Sequence, residues 1–160
     1  MAAVDDILRS YRAPRAVVRG LLARERSEPR ALSILVAALV VIFVGQWPGL
    51  ARRAFEGGQP MAGLALGTAL ALGATVPLFY GLAALSQLIA RGFGGRGSWY
   101  GARLALFWAL LAVAPLMLLQ GLVAGFIGQG AQLALVSALV FLAFILIWGA
   151  GLRVSAFEDR

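Results

Sequence analysis

The chain has 160 residues, 61% of them hydrophobic and 13% charged, and its formal net charge of +7 comes from fourteen arginines set against seven acids. With a mean hydropathy of +0.88 it has too little polar surface to wet a soluble domain. Cysteine, histidine and lysine are absent, which removes disulfides, thiolate nucleophiles, imidazole bases, Schiff bases and conventional zinc sites.

Residues 1–30 read as an arginine-rich segment on the membrane surface. They lack the 7–15-residue apolar core of a cleavable signal peptide and carry Asp5, Asp6, Glu25 and Glu28. At 100° per residue, Val4, Ile7, Leu8, Tyr11, Val18, Leu21 and Leu22 share one face, while Asp5, Arg9, Arg12 and Arg19 share the other. This pattern predicts an amphipathic interfacial helix that Pro14 divides in two. Its partner would be a bilayer containing anionic lipid. Leu8, Tyr11 and Leu22 would enter the interface, and Arg9, Arg12 and Arg19 would meet headgroups at about 1 kcal/mol each. The same face also suits packing on the protein's own helices or on a protein partner.

Four stretches follow: 31–50, 61–90, 102–127 and 131–152, of 20, 30, 26 and 22 residues. They contain no acid, and Arg103 is their only charge. A helical crossing needs roughly 20 apolar residues. The predicted fold class is therefore all-α, a polytopic bundle of four transmembrane helices in one domain (31–152), with the amphipathic segment before it and a short tail (153–160) after it.

Each of the first three spans carries a proline: Pro48, Pro77 and Pro115. Span two, about 45 Å long if fully helical, exceeds the hydrocarbon thickness and is predicted to tilt, bend at Pro77 or extend into the cytoplasm. Two GxxxG pairs, Gly63 with Gly67 and Gly121 with Gly125, let backbones approach closely, either inside the bundle or at a dimer face. Gln46, Gln87 and Gln120 lie toward span ends. They are expected to bond between helices rather than line a pore, although headgroup water could also satisfy them. All seven acids lie outside the spans, which argues against a transporter coupled to protons or cations.

The loop between spans two and three runs from Arg91 to Gly101, and Gly92, Gly94 and Gly97 formally spell GxGxxG. A dinucleotide fingerprint needs a preceding strand and a βαβ unit, whereas this one lies between apolar helices. It reads as a glycine turn with Ser98 as helix N-cap and Trp99 and Tyr100 at the interface; anion contact by Arg96 and exposed amides is the alternative. Twelve arginines fall on the side of the termini and this loop, and two (Arg52, Arg53) on the opposite side. By the positive-inside rule both termini are cytoplasmic.

The run from Gly94 to Leu119, with Gly94, Gly95, Gly97 and Ser98 leading through Arg103 into a span that ends near Pro115, resembles the signature of bacterial Yip1-family membrane proteins. The segments Pro14 to Leu22, Glu28 to Ala31 and Gly45 to Pro48 carry the same likeness, most like short, arginine-rich alphaproteobacterial members. The resemblance implies a multi-pass protein of the bacterial inner membrane. The family is usually described with five spans and this chain has four; the Asp-Leu-Tyr-Gly-Pro motif of eukaryotic members, which are associated with Rab GTPases, is absent. The shared motifs are structural and carry over no catalytic residues.

The function expected from all this is non-catalytic: a scaffold or accessory subunit of a membrane complex, with a protein partner or further copies of itself in the membrane. No cofactor, metal or nucleic acid is expected. The alternative is a small oligomeric channel, carrier or lipid-handling protein, whose mark would be a continuous polar stripe joining Gln46, Thr75, Tyr80 and Gln120. A lipid enzyme would need converging acids such as Glu25 or Glu28 with Glu56, which the predicted topology puts on opposite sides.

Overall fold

The computed structural model describes residues 2–158, in which seven α-helices run α1 (Ala2–Ser10), α2 (Pro14–Leu22), α3 (Glu28–Gly57), α4 (Met61–Ala74), α5 (Val76–Gly92), α6 (Trp99–Phe126) and α7 (Ala131–Arg153), ending in a π-helical turn (Val154–Glu158). The predicted class holds: four stretches, Glu28–Gly57, Met61–Gly92, Trp99–Phe126 and Ala131–Glu158, are long and apolar enough to cross a membrane.

Span two is broken within its crossing. α4 ends at Ala74 and α5 starts at Val76, because Pro77 has no N–H to give the preceding turn and its ring disfavours helix just before it. Thr75 stabilises the break by donating its Oγ1 hydroxyl to the Leu72 carbonyl at 2.6 Å. Span one runs farther than 31–50, since α3 passes through Pro48 and carries Arg52 and Arg53 before Gly58 (φ 60°) stops it in the left-handed region open to glycine. The Arg52–Glu56 pair, four residues apart at 2.7 Å, supports this added length.

α6 is the central helix. Every residue from Leu104 to Leu110 is buried, which needs neighbours on all sides, and α3, α5, α7 and the N-terminal hairpin supply them. The crossing of α3 and α6 is built on glycine. A β-carbon on Gly121 would run into the Gly45 carbonyl group, and one on Gly125 would lie 2.8 Å from the Pro48 carbonyl carbon. Gly45 and Pro48 on α3 therefore seat Gly121 and Gly125 on α6 at backbone contact.

Helices α1 and α2 form a hairpin that leans along α6. Leu22 packs near Gly101; Gly151 of α7 faces both Val18 and Ala105; Trp108 Nε1 donates to Ser10 Oγ at 2.9 Å; and the Tyr11 hydroxyl donates to the Ala112 carbonyl at 2.5 Å. The hairpin thus tracks eleven residues of α6, about 16 Å, with the Tyr11–Ala13 turn as its tip. Its apolar stripe is divided between two environments: Val18 and Leu21 are buried, while Val4 and Leu8 stay more than 60% exposed.

Candidate functional site

The end of the molecule with few arginines carries two adjoining hollows. A laterally open cleft of about 470 Å³ lies between α3 and α4, with Arg53 and Gly63 near its mouth and Ala71, Leu72 and Thr75 at depth. A more polar cavity of about 580 Å³ lies between α3, α6 and the start of α7, lined by Arg52, Arg53, Glu56, Gln120 and Gln129. Gln46 borders both. Gln46 and Arg53, seven residues apart, lie within about 20° of one another around α3, which is why one helix face supplies both.

The electrostatics of the two adjacent arginines differ. Arg52 is neutralised by Glu56 and donates from Nη1 to the Gly125 carbonyl at 3.3 Å, under the turn made by Gly128. Arg53 is exposed and donates only a 3.4 Å bond to the Gly49 carbonyl, and none of the ion pairs among the described residues includes it. In the cleft the hydroxyls of Thr68 and Thr75 turn back onto the Leu64 and Leu72 carbonyls, so the α4 wall is effectively apolar. No hydrogen bond among the described residues involves the Gln46 side chain. Arg53 was not singled out from sequence: Glu56 lies four residues from Arg52 and three from Arg53, both pairing distances on a helix, so only the folded pair shows which arginine it neutralises.

The remaining residues of interest fall elsewhere. Gln120 Nε2 donates to Ser137 Oγ at 2.7 Å, joining α6 to α7, whereas Gln87 Nε2 donates to the Gly97 carbonyl at 2.5 Å, joining α5 to a loop. The two GxxxG pairs have opposite surroundings. Gly121 and Gly125 press on α3, while Gly67 has open space beside it and Gly63 meets only Pro60. Tyr80 lies apart from the hollows, edge-on to Phe107 at 5.1 Å, so Gln46, Thr75 and Gln120 share contiguous hollows that Tyr80 does not join.

At the opposite end the glycine loop seats the Val154–Glu158 turn. The Arg96 and Gly97 amides both donate to the Ala156 carbonyl, at 2.9 and 3.1 Å. A β-carbon on Gly97 would collide with the Ser155 carbonyl and lie 2.6 Å from Ala156 Cα, and one on Gly95 would lie 2.8 Å from the Ala90 carbonyl oxygen. Gly94 turns the chain at φ 85°, and Ser98 caps α6 by accepting from the Gly101 amide at 3.0 Å. These amides are occupied by protein rather than presented to an anion. Arg103 pairs with Glu28, tying α6 to the start of α3, and Pro115 lies exposed on α6, three residues beyond the carbonyl that Tyr11 holds.

On the hairpin, Arg9 and Arg12 are exposed and Arg19 pairs with Glu158 at 2.5 Å. Partial burial raises the Tyr11 phenol above its ordinary value, because desolvation penalises the phenolate. Comparison with protein-family models, curated proteins and solved structures found no match to this chain.

Proposed function

We propose that this chain is a non-catalytic scaffold or accessory subunit of a membrane assembly, with α7 as the helix offered to a neighbour. The observation that carries this reading is a heptad seam on the outside of the bundle. Leu135, Leu139, Leu142 and Leu146 are spaced four, three and four residues apart, and each is between 54% and 63% exposed. That spacing is the one that inserts knobs into holes on a facing helix. The non-catalytic part rests on the chain's side chains: four acids, Asp6, Glu28, Glu56 and Glu158, are held by arginines, and the chain has no histidine, cysteine or lysine.

The likeness of the Gly94 to Leu119 run to Yip1-family proteins fits this reading, since the shared glycines do structural work at the C-terminal turn. With the arginine bias, it supports a place in a bacterial inner membrane with both termini in the cytoplasm. A lipid-handling role is the second reading, favoured by the contiguity of Gln46, Thr75 and Gln120.

The absence of cysteine makes the test clean. Leu139→Cys, labelled with a photoactivatable maleimide in native membranes and irradiated, is expected to form a discrete cross-linked species with a partner chain or a second copy, while Leu106→Cys, at a fully buried position, should form none. If Leu139→Cys remains monomeric and no chain co-purifies after gentle solubilisation, the scaffold reading fails.

A further inference from the structure

We infer that the α3–α4 cleft is a binding site for one anionic phospholipid, its phosphate at Arg53 and an acyl chain lying along α4. This goes beyond the scaffold reading and involves other helices.

Three observations select the occupant. The first is length: from Gly63 near the mouth to Thr75 at the inner end, the cleft follows twelve residues of α4, about 18 Å. That is close to the depth of one leaflet, half of a hydrocarbon core roughly 30 Å thick. The second is where the cleft stops. It ends at the α4–α5 break, and beyond it α5 turns Ala83, Ser86, Gln87 and Ala90 inward as buried residues. A crossing helix would need a groove along the whole of Met61–Gly92, whereas a lipid needs only one leaflet.

The third is polarity along the cleft. Its mouth carries Arg53, the arginine that Glu56 leaves unneutralised. Its inner walls are glycine, alanine and leucine, with threonine hydroxyls turned onto their own backbone. Gln46 projects from the same face of α3, about 10 Å nearer the bilayer centre, as a carboxamide donor for the glycerol esters that follow a phosphate. A cation at the surface, an amide below it and apolar walls beneath match a phospholipid group by group. No glycine is needed there for packing, since a β-carbon on Gly67 would meet nothing within 4 Å.

The test is native mass spectrometry of the full chain in nonionic detergent, titrated with phosphatidylglycerol and, separately, with phosphatidylcholine. The expected result is one retained phosphatidylglycerol, held about fivefold more tightly than phosphatidylcholine, the factor one arginine near an anionic headgroup is worth. Arg53→Gln should abolish the preference, and Gly67→Leu, which fills the cleft, should remove binding of both lipids. Arg153→Gln, an exposed cation on α7, and Leu139→Ala on the proposed scaffold face should change neither.

Circular dichroism on each variant establishes that its helices persist. An undiminished preference in Arg53→Gln, or retained lipid in a folded Gly67→Leu, overturns the proposal. So does competition by glycerol phosphate as effective as that of intact lipid, which would reduce the site to its anion. A Gly67→Leu variant that changes the oligomeric mass of a lipid-free protein would make the cleft a protein contact and equally overturn it.

Discussion

At the residue scale, glycine at position 97 is required by contact rather than by backbone angle. Gly97 lies against the Ser155 and Ala156 backbone, its amide joins that of Arg96 on the Ala156 carbonyl, and its own carbonyl accepts from Gln87. A methyl group there has no flexible neighbour to displace. Gly97→Ala is therefore expected to destabilise the fold by about 2 kcal/mol, in the range of overpacking, and to lower the thermal midpoint in detergent. Gly81→Ala is the contrast: it is helical and exposed, with nothing within 4 Å of the added carbon, so it should be neutral or stabilising by up to about 1 kcal/mol.

Among elements, the two GxxxG pairs show how one motif takes different roles. Gly121 and Gly125 allow α6 to meet α3 at backbone distance, and the interior proline of α3 sits in that contact. Gly63 and Gly67 instead leave α4, none of whose residues is buried, standing off α3 by the width of a cleft. Gly121→Ala should thus cost roughly 3 kcal/mol or more and Gly67→Ala should be near neutral, measured by denaturation in mixed micelles. Equal losses would mean that both pairs pack within the bundle. The broken span two belongs to the same scale. α4 is free to diverge from α3 because Pro77 uncouples it from α5, which is held against α6.

For the whole molecule, the charges follow the ends of the bundle. The open side of the hairpin, the glycine loop and the C-terminal turn gather at one end, linked by Arg19–Glu158, Arg24–Asp6 and Arg103–Glu28, while the tip of the hairpin reaches the middle of α6 at Ala112, and Arg52 and Arg53 mark the other end. Reporter fusions are expected to place the C-terminus in the cytoplasm and the turn at Gly58 outside. A C-terminal reporter active in the periplasm would refute the four-crossing topology and favour a pattern of five. Leu22 at the end of α2 and the Val154–Glu158 turn are bound into one end of the same structure, so reporters at the two termini should report the same side.

Class and span count were legible in the amino-acid sequence, because a bilayer demands about 20 apolar residues per crossing; which proline interrupts its span was not, since Pro77 separates α4 from α5 while α3 and α6 run on through Pro48 and Pro115. Ser98 as a cap was legible for a similar local reason, since a short hydroxyl ahead of a helix can accept from its first free amides. Which glycine pair packs, which arginine stays unneutralised, and whether an apolar stripe turns to protein or lipid depended on the tertiary structure. Helical periodicity shows that Val18 and Leu8 share a face, but only the presence of α6 and α7 beside one of them buries Val18 and leaves Leu8 exposed. A pattern along one helix states what a face is made of; what it meets is set by helices distant in the chain, through contacts that no local spacing encodes.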